Sequence, residues 1–320
     1  MGVAANNSLA LQAIGRRTIR LINLLVNTAV LIVMLLLLGF CCYAIWDSNQ
    51  IYDAADKSHY AIYKPTTQNE GLSFKELQAI NPEVCAWLSV YGTNIDYPVT
   101  RGQDNTKYVN TNAEGNYALS GAIFLDYNNS KDFSDFNSIL YGHHMQKNIM
   151  FGEIGSFSNQ YFFDSHRYGN LYFNEKDHGI EFFAFIHTSA YDGTVFMPDI
   201  KGNDRKAYLD ALLANANLKR DIGVTIEDNI MLLTTCSSAS TNGRDVLVGR
   251  VTDEVYRNTY LNTETNDGNK SVNTDGVVKE IVFGNIILAV LLPVLILVIY
   301  YRRKNSGKRF MDNESTENEK

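Results

Sequence analysis

Two long apolar stretches bracket this 320-residue chain and decide how much of it is left to fold in water. Residues 21–45 are interrupted by polar side chains only at Asn23, Asn27 and Thr28, and residues 281–301 form a second run that contains Pro293. Each run meets the roughly 20 residues a helix needs to cross a bilayer, and a lipid-embedded helix tolerates proline better than a soluble one. Both are therefore expected to be transmembrane helices. Arg16, Arg17 and Arg20 precede the first run, while Arg302, Arg303, Lys304, Lys308 and Arg309 follow the second. The positive-inside rule then puts both termini in the cytoplasm and residues 46–280 outside, a two-pass arrangement in the cell membrane. The first run is read as an uncleaved anchor, because no small-x-small cleavage site follows it and Phe40 before Cys41 does not suit a lipoprotein box.

Composition limits the extracytoplasmic part further. The chain is 45% hydrophobic, enough for a core after lipid has taken its share, and its net charge of −7 argues against nucleic acid as a partner. Of four cysteines, Cys41 and Cys42 lie in the first apolar run, leaving Cys85 and Cys236 outside the membrane. Two thiols allow one disulfide but no disulfide framework. Cys85 sits in Val84-Cys85-Ala86-Trp87-Leu88, which reads as an interior strand.

Residues 46–73 read as a juxtamembrane helical stalk, and 73–80 as a further short helix with Ser73 as N-cap and Glu76 at the capping-box position. Short β-type runs bounded by Gly, Asn, Asp or Pro then recur at 84–91, 95–99, 118–125, 138–141, 170–173, 180–188, 230–235 and 246–251. Eight strands at this spacing with few helices between them favour a closed or nearly closed barrel, so the fold class is mostly β. A helical pattern at 204–218 is inserted before the strand that ends at Cys236, and residues 151–163 suggest a short helical region. Residues 259–280 form a polar linker to the second span, and 302–320 a polar tail whose basic half suits anionic lipid headgroups.

Three strand ends carry chemistry. The run Ile230-Met231-Leu232-Leu233-Thr234-Thr235-Cys236 delivers a thiol to its tip, Ile139-Leu140-Tyr141-Gly142-His143-His144 delivers an imidazole, and Arg244 opens the next apolar run. Cys, His and Arg can act as nucleophile, proton carrier and anion stabiliser. Adjacent His143 and His144 point to opposite faces of a continuing strand, so one of them faces the thiol. Arg250 competes with Arg244 but lies about 20 Å further along at about 3.3 Å per residue. Zinc on His143, His144 and Cys236, or calcium on Asp126, Asp132 and Asp135, is chemically conceivable, but loop carboxylates are commonly plain turn formers, and no metal or cofactor is assigned.

These segments resemble the sortase family of membrane-anchored cysteine transpeptidases of Gram-positive bacteria, class B above all. Leu233-Thr234-Thr235-Cys236 stands where the family carries Thr-Leu-x-Thr-Cys, with Leu232 in place of the leading Thr. Tyr141-Gly142-His143 matches its Tyr-Gly-His signature, and Gly243-Arg244-Asp245-Val246-Leu247-Val248 its Arg-bearing strand. Gly121-Ala122-Ile123-Phe124-Leu125-Asp126-Tyr127 and Asn148-Ile149-Met150-Phe151 are similar to further class B segments.

The resemblance implies an eight-stranded sortase-type barrel, with N-terminal helices and an inserted helix before the catalytic Cys strand, over residues 74–258. It also implies cleavage of a C-terminal sorting signal after Thr through a Cys236 thioester, His143 as general acid and base, and Arg244 on the oxyanion. It places Thr235, Thr234 and Asn105 in substrate binding. The partners it implies are secreted proteins with an NPxT-like signal, and an amine acceptor such as a peptidoglycan cross-bridge or a pilin lysine. One feature departs from the pattern: class B members usually have only the N-terminal anchor, and a C-terminal span is more typical of the pilus-building class C. A thiol protease in which hydrolysis dominates, and a catalytically idle scaffold for surface-protein assembly, stand as alternatives.

Overall fold

The computed structural model describes residues 2–65, 72–202, 204–236 and 242–261. The expected second span, with most of the linker before it and the tail after it, lies outside the described residues. Helix α1 (Gly2–Ala55) carries the first apolar run, and α2 (Lys57–Tyr60) and α3 (Leu72–Ile80) follow it. One described helix, spanning Ile14–Ala55, is long and apolar enough to cross a membrane. Its apolar side chains are exposed all round, for example Leu25, Leu36 and Phe40, as a lipid-facing helix requires. Asp56 caps α2 by accepting from the Ser58 amide at 2.9 Å. Ser73, expected as an N-cap, lies inside α3 instead, and its hydroxyl donates to the Lys64 carbonyl at 3.2 Å.

Each expected β run yields a strand: β1 (Val84–Val90), β2 (Asp96–Thr100), β3 (Ile123–Leu125), β4 (Asn137–Tyr141), β5 (Tyr168–Phe173), β6 (Lys176–Ser189), β8 (Asn229–Cys236) and β9 (Gly243–Thr252). Strand β3 takes only the end of the 118–125 run, whose start turns where the Gly121 amide donates to the Ala118 carbonyl. A two-residue strand, β7 (Leu218–Lys219), was not anticipated; it is held on the outside edge of β6. The sheet order is β5-β1-β2-β3-β4-β8-β9-β6-β7, and a further β5–β6 pairing closes the first eight of these into a barrel. Two further α-helices, α4 (Gln160–Ser165) and α5 (Asp204–Asn215), and four short 3-10 helices, at Ala61–Tyr63, Lys107–Val109, Gln146–Asn148 and Ile154–Ser158, complete the described elements. The inserted helix thus ends at Asn215, short of the expected 218, because Leu218 and Lys219 are drawn into β7.

Strand alternation sorts the core into two apolar clusters. Met231, Leu233, Leu247 and Phe185 face the barrel interior with Leu88 and Leu140. Their neighbours Ile230, Leu232, Val246, Val248 and Ile186 face the other way and are covered by Tyr208, Leu209 and Leu212 of α5. Both faces of β8 and β9 are therefore dry, which is why these strands read as continuous apolar runs. On the far side, α3 seats Phe74 edge-on to Trp87 and Tyr172, with ring centroids 6.5 and 5.4 Å apart.

Candidate active site

The parallel ladder of β4 with β8 pairs Leu140 with Leu233 and Tyr141 with Thr234, and the Gly142 amide extends it by donating to the Thr234 carbonyl at 3.2 Å. The antiparallel ladder of β8 with β9 ends on the pair Cys236 and Arg244, and that of β9 with β6 sets Thr188 opposite Arg244. Four neighbouring strands therefore finish at one end of the barrel. One row, Tyr141, Thr234, Val246 and Ile186, lies just beneath that end. Two residues on come Cys236, Arg244 and Thr188, on the same face, with His143 two residues beyond Tyr141 on β4's exit.

Cys236 is exposed and carries a free thiol. His143 is half-buried, and its Nε2 lies 2.8 Å from the Val109 carbonyl. A carbonyl oxygen only accepts, so Nε2 carries the hydrogen, and in the neutral ring Nδ1 is left with its lone pair. His144 is exposed and pairs by a bridge with Met150. Arg244 makes one hydrogen bond among the described residues, from Nη1 to the Gly243 carbonyl at 3.1 Å. Its charge reaches Tyr141: burial and the Asp126 carboxylate raise that phenol well above the usual tyrosine range, and Arg244 offsets part of the rise. Arg250 is engaged elsewhere, with Nη2 2.8 Å from Glu181 Oε2, a carboxylate that Arg167 also holds at 2.6 Å.

The residues expected to bind substrate are placed less directly. Thr234 and Thr235 are 1% and 2% exposed, and neither hydroxyl has a partner among the described residues. Thr234 shares the face of Cys236 and lies one layer below it, whereas alternation turns Thr235 to the opposite, inner face. Asn105 braces a loop: its Nδ2 donates to Asp126 Oδ2 at 2.8 Å, and its Oδ1 accepts from the Tyr127 amide at 3.0 Å. Asp126 also accepts from the Tyr141 hydroxyl at 3.0 Å, so Asn105 is tied through one carboxylate to the end of β4, two residues before His143.

No protein-family model matches the chain. Sortase B of Staphylococcus aureus (strain NCTC 8325 / PS 47) is 30% identical over 182 residues, which are 56% of this chain and 74% of that protein. The chain belongs to the sortase family. Class B, the class of these relatives, is the one it is most similar to. The crystal structure of sortase B from the type II pilus of Streptococcus pneumoniae shares 46% identity and a TM-score of 0.50, covering 57% of this chain and 99% of that one. A Staphylococcus aureus sortase B–substrate complex shares 27% identity and a TM-score of 0.52, covering 64% and 93%.

Three features of this candidate site escape sequence reasoning. Thr188 joins the Cys236 and Arg244 row only because β6 carries a bulge between Phe182 and Ala184, which sets its register against β9. Behind the row, His187 Nδ1 lies 2.8 Å from Asp245 Oδ1, across the same strand pair and on the inner face shared by Thr235. The third is the Val109 carbonyl that fixes the His143 tautomer. A backbone acceptor 34 residues away leaves no trace in residue types.

Proposed function

We propose that this sortase is a membrane-anchored cysteine transpeptidase that cuts a C-terminal sorting signal after Thr and passes the protein to an amine. The observation that carries the reading is the ladder ending on exposed Cys236 opposite Arg244, at the barrel end where β4 runs out to His143. The Cys236 thiol passes its proton to His143 Nδ1, the nitrogen left with a lone pair, the thiolate attacks the threonine carbonyl carbon, and the C–N bond breaks to leave a thioester. His143 gives a proton to the departing amine and takes one from the incoming amine, whose nitrogen displaces the sulfur. Arg244 remains charged throughout and donates hydrogen bonds to the oxyanion of both tetrahedral intermediates. Thr234 forms the floor beneath the thiol, Thr235 backs it from inside the barrel, and Asn105 shapes the groove wall through Asp126.

The substrate complex of the Staphylococcus aureus relative supports a peptide-binding groove, and class B similarity supports an NPxT-like signal. The origin of another relative in a type II pilus supports a pilin lysine as acceptor beside a peptidoglycan cross-bridge. Helix α1 is the anchor in this reading. A second span at 281–301 makes the chain two-pass, with both termini cytoplasmic, the basic tail on anionic lipid and the barrel outside.

Mass spectrometry of the full chain with NPxT and LPxT peptides tests the reading. An acyl adduct on Cys236 is expected that disappears in Cys236→Ala and is converted to an amide when an amine is added. Processing by Cys236→Ala at the wild-type rate would sink it. Products that are hydrolysed even at high amine concentration would make the enzyme a thiol protease instead.

A further inference from the structure

The loop that leaves His143 carries the most strained backbone near the site. Lys147, Asn148 and Met150 all have positive φ, 60°, 58° and 52°, a region that side chains with a Cβ occupy only when their surroundings hold them there. Part of that hold is internal to the barrel. The Phe151 amide donates to the His143 carbonyl at 3.1 Å, and the Met150 amide donates to the Tyr97 hydroxyl at 3.3 Å. Gly152 permits the turn, because a Cβ there would stand 2.1 Å from the Met145 carbonyl.

The rest of the hold comes from the membrane helix. Lys147 Nζ donates to Asn49 Oδ1 at 3.3 Å and lies 4.6 Å from the centroid of the Tyr52 ring, both on the last turns of α1. Tyr43 and Trp46, the amphipathic rings that suit a membrane interface, precede these residues by one to three turns. Past them α1 is seated in the barrel domain: Ala55 is fully buried, and Tyr60 of α2 packs edge-on against Tyr97, with centroids 6.4 Å apart. The strained loop is thus pinned on one side by Tyr97 and on the other by the stretch of α1 that leaves the bilayer.

We infer that Lys147 is a positioning residue that ties the His143 loop to the membrane anchor, so that the seating of α1 sets the geometry of the proton carrier. The catalytic half of this inference rests on the function proposed above. Lys147 touches no reacting atom; it acts by keeping residues 143–150 in a conformation they do not favour by themselves. A chain whose α1 is correctly seated holds the imidazole ready, and loss of the clamp lets the loop relax.

The test uses the full chain in detergent micelles or vesicles, as wild type, Lys147→Ala, Tyr52→Leu and Lys147→Arg. Hydrogen exchange of the amides of residues 143–152 is read beside kcat and KM for a sorting-signal peptide. Removing one exposed cation–ring contact and its hydrogen bond is expected to speed exchange in this loop by about three- to tenfold. The same two variants should lose kcat by a similar factor with KM within about twofold of wild type, and Lys147→Arg should restore both readings. Unchanged exchange in Lys147→Ala and Tyr52→Leu overturns the clamp. Faster exchange with unchanged kcat overturns the positioning role. A wild-type chain that forms no thioester overturns the proposed function and the catalytic half with it, while the exchange data still decide the clamp.

Discussion

The two thiols of the barrel domain, Cys85 and Cys236, differ in everything but their element. Cys236 ends its strand in the open, whereas Cys85 lies at an irregularity in the β1–β2 ladder, donates to the Val99 carbonyl at 3.6 Å, and has its thiol pushed up to about 12 by burial. An alkylating reagent at neutral pH should therefore label Cys236 well before Cys85, as read by peptide mapping; preferential labelling of Cys85 would contradict the assignment of the nucleophile. The arginines divide in the same way. Arg244→Ala should lower kcat by about 10²–10³-fold, the usual result of deleting an oxyanion donor, with little change in melting temperature. Arg250→Ala should do the reverse. It strips a charged hydrogen bond from buried Glu181, costing about 1.5–3 kcal/mol of stability, and should leave turnover per folded molecule near wild type.

At the scale of elements, the inserted helix is a lid on the outer cluster rather than an ornament. Tyr208 of α5 accepts from Asn137 Nδ2 at 2.7 Å and donates to the Val195 carbonyl at 2.7 Å, and burial drives its phenol far above the ordinary tyrosine range. Tyr208→Phe keeps the ring and loses both bonds, so about 1–3 kcal/mol of stability should vanish in denaturant titration. Activity should follow only through the folded fraction, because α5 touches the layers beneath the Cys236 row and not the row itself. The helix was legible from its apolar spacing. Its end was not, since β7 forms only where β6 offers an edge to pair with.

Across the whole molecule, closure depends on β5, which bonds to β1 on one side and to β6 on the other. The backbone is crowded there. A Cβ on Gly179 would lie 2.0 Å from the Glu254 carbonyl, and one on Gly169 2.7 Å from that of Ser89, while Gly193 has nothing within 4 Å. Gly179→Ala should accordingly destabilise the barrel by about 1–3 kcal/mol, with Gly193→Ala near neutral as the control; equal melting temperatures for the two would mean the seam is not under this constraint. Helix α1 sets the other large-scale relation. Its apolar run at 21–45 is about 38 Å long at 1.5 Å per residue, enough to match a hydrocarbon core of about 30 Å, and residues 46–55 add about 15 Å of helix before the chain is buried in the domain at Ala55.

The eight strands and the order His143, Cys236, Arg244 were written in the sequence, because period-two apolarity and strand-end punctuation are local and each strand must bury its own face. The family likeness lay there too, in motifs of a few consecutive residues. Register, closure and orientation were decided only by the tertiary structure. A bulge in β6 chose Thr188 as the neighbour of Arg244, alternation from a fixed pairing turned Thr235 inward, and a distant backbone carbonyl selected the His143 tautomer. Each of these depends on which atoms meet across long separations in the chain, and chain-local pattern carries no information about such meetings.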